Sequence, residues 1–126
     1  MPTFRGSCHC GRVTFEVDAN PTELSECNCS LCHKKGAVYL KATEVGALRI
    51  RTGEADLAVY QFNTHTAKHY FCPFCGIHTF HRPRFAPERW SVNARCLEGF
   101  DLSAYPRSTF DGQDWERAAR AEGWRG

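Results

Sequence analysis

Seven of the eight cysteines stand two or three residues from another cysteine. Cys8-His9-Cys10 and Cys27-Asn28-Cys29 are C-x-C pairs, and Cys29-Ser30-Leu31-Cys32 and Cys72-Pro73-Phe74-Cys75 are C-x-x-C pairs. In an extended segment residues i and i+2 point to one side, so a C-x-C pair can aim both sulfurs at one point. A C-x-x-C turn folds two sulfurs around a tetrahedral ion, with Zn–S distances of about 2.3 Å. Gly76 follows Cys75 and can take a positive φ, letting the backbone curl around a metal. One C-x-x-C alone is shared with redox motifs; four such pairs point to metal. All-thiolate tetrahedral sites suit zinc or iron–sulfur, and no ferredoxin-like cysteine run is present to favour the latter.

Eight cysteines would fill two closed four-thiolate sites. Cys96, however, stands alone in Arg95-Cys96-Leu97 and reads as a core cysteine. The remaining seven divide as four plus three, and a three-thiolate zinc keeps the open position of a catalytic site. Spacing does not say which C-x-C joins which C-x-x-C. Such a centre carries a net charge of −1, which makes it a poor generator of hydroxide. It can still bind a thiol and lower its pKa, giving a thiolate nucleophile. His33, directly after Cys32, is a candidate acid, base or supporting group, against the plainer reading of a surface residue beside Lys34 and Lys35. His78 and His81 are three apart on an expected strand, which predicts opposite faces and no shared task. His9 is expected to point away from its flanking cysteines.

The elements that must carry these residues read as short strands. Val13, Phe15 and Val17 alternate with Arg12, Thr14 and Glu16, the period of a half-buried strand, and Asp18 to Thr22 ends it with turn chemistry. Further strands are expected over 37–41, 47–51, 57–62, 68–72, 77–81 and 90–95, with turns at Gly46 and Thr52-Gly53. Residues 114–122 are rich in helix formers, with Asp114 as a possible cap and Gly123 as a stop. A short helical turn is expected over 30–35.

With 126 residues, 42% hydrophobic and 24% charged, the chain suits a single globular domain, residues 1–126. Sixteen basic and 14 acidic residues give a net charge of +2, which predicts no strong pull toward nucleic acid or an anionic membrane. No apolar run approaches membrane-spanning length, and the N-terminal residues lack the pattern of a signal peptide. A cytoplasmic location is expected, where thiols stay reduced and cysteine clusters serve metals. A homo-oligomer is compatible with all of this.

Gly6-Ser7-Cys8-His9-Cys10-Gly11, Cys27-Asn28-Cys29-Ser30-Leu31-Cys32 and Phe71-Cys72-Pro73-Phe74-Cys75-Gly76 together resemble the glutathione-dependent formaldehyde-activating enzyme family, also called centromere-protein-V-like. Residues 91–97 and Phe110-Asp111-Gly112 are similar to family segments too. The resemblance implies a mainly β, β-tent-type zinc-binding fold of antiparallel sheets with short peripheral helices. It implies two zinc ions per chain, a structural one on Cys8, Cys10, Cys72 and Cys75 and a catalytic one on Cys27, Cys29 and Cys32. The implied activity is that of a carbon–sulfur lyase joining glutathione and formaldehyde as S-(hydroxymethyl)glutathione. Glutathione has two carboxylates, for which Arg82, Arg84, Arg95, Lys34 and Lys35 are candidate partners. Phe80, Phe85 and Trp90 read as core or pocket wall. The rival readings are a zinc-stabilised module that binds protein or nucleic acid without catalysis, and the same chemistry on a different thiol adduct.

Overall fold

A computed structural model describes residues 1–42 and 44–125. The alternating segment is strand β2 (Thr14–Asp18), and it lies between β1 (Thr3–Ser7) and β5 (Leu48–Thr52) in a three-stranded antiparallel sheet. Phe15 and Val17 on β2, and Val13 just before it, are fully buried, while Thr14, Glu16 and Asp18 are half-buried. The alternation therefore marks the core face as expected. Strand β1 has no such pattern. It packs because Gly6 leaves room for the Phe15 ring, where a Cβ would collide with ring atom Cζ.

The second sheet has seven strands. In chain order these are β3 (Leu24–Cys27), β4 (Tyr39–Ala42), β6 (Ala58–Tyr60), β7 (Lys68–Phe71), β8 (His78–Arg82), β9 (Trp90–Asn93) and β10 (Arg107–Phe110). They lie in the order β10-β3-β4-β9-β8-β7-β6. All neighbours are antiparallel except β10, which runs parallel to β3 with Phe110 opposite Cys27. No strand was expected at 107–110, because Arg107-Ser108-Thr109-Phe110 lies at the sheet edge with no buried residue. The expected strand over 90–95 stops at Asn93, whose side chain accepts from the Arg95 N–H and starts a 3-10 turn over Ala94–Cys96.

The two sheets share one core. Phe15 and Phe80 meet edge to face with ring centroids 5.2 Å apart, and Phe80 meets Trp90 likewise at 5.2 Å. Phe80 is thus core. Two helices lie at the margins, α1 (Ser30–Lys35) and α2 (Trp115–Ala121). Asp114 does not cap α2 as expected; its carboxylate instead accepts from Arg117 Nε at 2.6 Å. Among the described residues no helix is long and apolar enough to cross a membrane.

Candidate metal centres and the cavity beside them

Cys8, Cys10, Cys72 and Cys75 converge, with all four sulfurs within 4.8 Å of one another. The Cys8–Cys10 and Cys10–Cys72 sulfur distances are 3.6 and 3.7 Å. The C-terminal half is the expected knuckle: Gly76 takes φ 78°, and its N–H donates to the Cys72 carbonyl at 2.7 Å. The N-terminal half is not the extended segment expected of a C-x-C pair. Gly11, at φ 83°, donates to the Cys8 carbonyl and curls residues 8–11 into a turn. His9 is exposed. Arg12 stacks over Phe74 at 3.7 Å, clamping the two turns together. Cys8 and Cys72 are fully buried, and the four sulfurs come from segments more than sixty residues apart.

Cys27, Cys29 and Cys32 form a second convergent set, again within 4.8 Å. Cys27 ends β3, Cys29 is the N-cap of α1, and Cys32 lies inside its first turn. The Cys29 sulfur accepts from the Cys32 N–H at 3.3 Å, replacing the oxygen of an ordinary cap. Bonds from Cys27 and Cys32 to the Cys29 sulfur pull its thiol down to about 2, while the Cys27 thiol is pushed far up by the same pairing. Three sulfurs this close cannot all be charged without a cation among them. That is the condition a divalent ion satisfies.

The segment after β10 closes over these cysteines. Asn28 Nδ2 donates to Asp111 at 3.1 Å, and the Gln113 N–H donates to Asn28 Oδ1 at 3.1 Å. Gly112 lies between these anchors. A Cβ there would sit 2.6 Å from the Cys27 sulfur and 2.7 Å from the Cys29 Cβ. Gly112→Ala is therefore expected to displace the cysteine trio and to weaken metal retention there about tenfold or more, in the range of lost supporting contacts. A chelator-competition titration checks this, and an unchanged affinity would contradict it.

Unlike the first cluster, the trio borders a cavity of about 700 Å³. Its wall includes the aromatic rings of Phe62, Phe85, Trp90, Phe110 and Trp115, so Phe85 and Trp90 are pocket wall. His33 is exposed and outside this lining. The residue that does reach the sulfurs is Tyr39, whose spacing from the cysteines carried no signal. Its hydroxyl lies 3.8 Å from the Cys32 sulfur and 3.3 Å from His78 Nε2. Burial, then the nearby thiolates, push its ionisation well above the ordinary range.

Three histidines gather behind Tyr39: His69 on β7, with His78 and His81 on β8. The expectation that His78 and His81 face opposite ways fails. Phe71 pairs with His78 but Tyr70 pairs with Phe80, so Thr79 is an extra residue in β8. A bulge reverses the side-chain parity beyond it, and the two imidazoles land on one face with centroids 5.9 Å apart. Burial lowers His69 to about 4 and His78 to about 3, and takes His81 well below its usual range, so all three are neutral near pH 7. Lys35 Nζ sits 3.0 Å from His69 Nδ1, and burial pulls its ammonium down to about 8 against the opposing pull of the Cys32 and Cys29 thiolates.

Of the other candidate cations, Arg84 lines the cavity, where it lies over Trp115 at 4.0 Å and pairs with Glu116, whereas Arg82 is outside the lining and stacks on Trp90 at 3.9 Å. Lys34 and Arg95 are exposed and outside the cavity lining. Lys41 and Arg89 are exposed cations that do line it, and neither was singled out by the sequence. Cys96 joins neither sulfur cluster among the described residues. It packs against the main core, its thiol donates to the His78 carbonyl at 3.6 Å, and burial pushes it up to about 12.

The arrangement of a four-sulfur and a three-sulfur cluster on two β-sheets agrees with the family comparison. The model of the glutathione-dependent formaldehyde-activating enzyme family matches residues 3–111. The chain belongs to this family. The match takes in all seven clustered cysteines and ends at Asp111, beside the glycine that packs on the trio. A crystal structure of a Rhodobacter sphaeroides protein is similar at 39% identity, with a TM-score of 0.75, over 82% of this chain and 99% of that one.

Proposed function

We propose that this chain is a zinc-dependent carbon–sulfur lyase or synthase-type enzyme that reversibly joins a thiol, glutathione in the first place, to formaldehyde or a related small aldehyde. Two zinc ions per chain belong to this reading. Cys8, Cys10, Cys72 and Cys75 would hold a structural ion, and Cys27, Cys29 and Cys32 a catalytic one. The observation that carries it is the contrast between the two clusters: four sulfurs close on themselves, and three border a cavity. Bound at the three sulfurs, zinc would supply an open position at which a thiol is held and loses its proton readily.

The chain's own residues supply the rest. In the forward direction the thiol sulfur's electron pair forms the C–S bond. The carbonyl π pair moves onto oxygen, and the proton lost by the thiol ends there, so no oxidant or reductant is needed. Tyr39 is the donor best situated to stabilise the developing oxyanion, because it lines the cavity within reach of Cys32 and its O–H can turn from His78 Nε2 to the new oxygen. This takes over the role that proximity in sequence suggested for His33. Lys41 and Arg89 are available for the carboxylates of glutathione at the cavity rim.

Tyr39→Phe is expected to lower kcat about a hundredfold with little change in KM, the usual size of a lost proton donor. The phenylalanine ring keeps the edge contact with His81, at 4.7 Å between centroids, so the melting temperature should hold. An unchanged kcat would remove Tyr39 from the reaction. The reading as a whole is tested by following formaldehyde–glutathione exchange by NMR with and without the protein. No acceleration over the spontaneous reaction would sink the assignment. The aromatic wall favours a second reading, the same chemistry on a less polar thiol, which competition between glutathione and an aromatic thiol would reveal.

A further inference from the structure

We propose that His69, His78 and His81 form a metal site of their own, distinct from both sulfur clusters, that takes a borderline divalent cation such as zinc beside the cysteine trio. This inference does not rest on the reaction proposed above. One nitrogen from each ring lies within 4.8 Å of the others, the span of ligands around a single ion. Three neutral imidazoles are a suitable donor set for zinc, copper, nickel or iron rather than for magnesium or calcium.

The strongest observation is His81. It is 8% exposed, and its Nδ1 is a buried atom with no hydrogen-bond partner. A buried nitrogen left without a partner is destabilising, and a metal bond would remove that cost. The same ring lines the cavity, so an ion has an entry path. His78 is prepared as a ligand in the ordinary way. Its Nδ1–H donates to the Tyr70 carbonyl at 2.8 Å, which fixes the tautomer and leaves Nε2 with its lone pair. The Thr79 bulge is what brings His78 and His81 to one face, and bulges recur where a side chain must be re-aimed toward a site.

Two neighbours bear on the ion. Lys35 holds His69 Nδ1 at 3.0 Å, so a positive charge already sits against the cluster. An arriving cation must displace this ammonium, and Lys35 can withdraw by side-chain rotation alone because its stem is long and unbranched. Tyr39 stands between the two sites, within 3.3 Å of His78 Nε2 and 3.8 Å of the Cys32 sulfur. Its hydroxyl is the natural oxygen neighbour of an ion on the histidines. A trithiolate zinc centre of net negative charge nearby would favour a second cation rather than repel it.

The test uses purified full-length protein loaded with zinc and, separately, with cobalt. Zinc X-ray absorption of the unaltered protein should show imidazole scattering alongside sulfur. His81→Gln and His69→Gln should each lower the bound metal by one ion per chain. The sulfur-to-cobalt charge-transfer band should stay at full intensity, because the thiolate sites are untouched. An all-sulfur zinc environment in the unaltered protein would overturn the site. So would variants that retain the full metal content, or that lose metal only together with the thiolate band. The absorption measurement needs no substitution, so a variant that misfolds leaves the proposal open to refutation.

Discussion

Cys72→Ser is expected to unfold the chain. Cys72 is fully buried at the end of β7, and its sulfur belongs to the cluster that Cys8 and Cys10 reach from the turn after β1. The cluster therefore ties the three-stranded sheet to the seven-stranded one, adding to the apolar core the two sheets share around Phe15 and Phe80. Structural zinc contributes roughly 10–16 kcal/mol of apparent binding energy in zinc-finger peptides. A domain of this size is stable by only about 5–15 kcal/mol. Loss of one of four ligands need remove only part of the first quantity to exhaust the second. Circular dichroism and a thermal melt should show no cooperative transition near that of the unaltered protein. A melt within a few degrees of it would mean that the four-sulfur cluster is not structural. Stripping metal with a strong chelator should reproduce the loss without any substitution.

Cys29→Ser is expected to do the opposite, sparing the fold and abolishing activity. Cys29 is the N-cap of α1, and serine is among the best residues for that position. The cap therefore survives, and the melting temperature should move by no more than a few degrees. The cysteine trio, however, loses one of its three converging sulfurs. Two sulfurs and a hydroxyl are a much poorer zinc site than three sulfurs. Bound zinc should fall by one ion per chain and the exchange rate should fall to the spontaneous value. Retained activity with the ion lost would remove the trio from the reaction. Global unfolding would mean that the structural and catalytic assignments are reversed.

These two outcomes differ because the clusters differ in sequence separation. Cys27, Cys29 and Cys32 lie within six residues, so their convergence orders only a strand end and one helical turn. Cys8 and Cys72 are far apart, and their convergence closes a long loop of chain, a cost that a metal bound there would help to offset.

That contrast also describes what the sequence by itself determined. Pairs of cysteines at two and three residues, the alternation through Val13, Phe15 and Val17, and the short helix at Ser30–Lys35 are local. Covalent spacing and backbone period dictate them. The tertiary structure decided the rest. It chose which C-x-C joins Cys72 and Cys75, a matter of sheet packing. It inserted Thr79 into β8 and so reversed the expected parity of His78 and His81, because a bulge depends on the register with β7. It brought Tyr39 to the cavity and Lys35 against His69, occupied Arg82 and Arg84 with tryptophan faces, and drew Gly112 over the cysteines through a parallel strand that no pattern announced. Each depends on contacts between segments tens of residues apart, about which local spacing is silent.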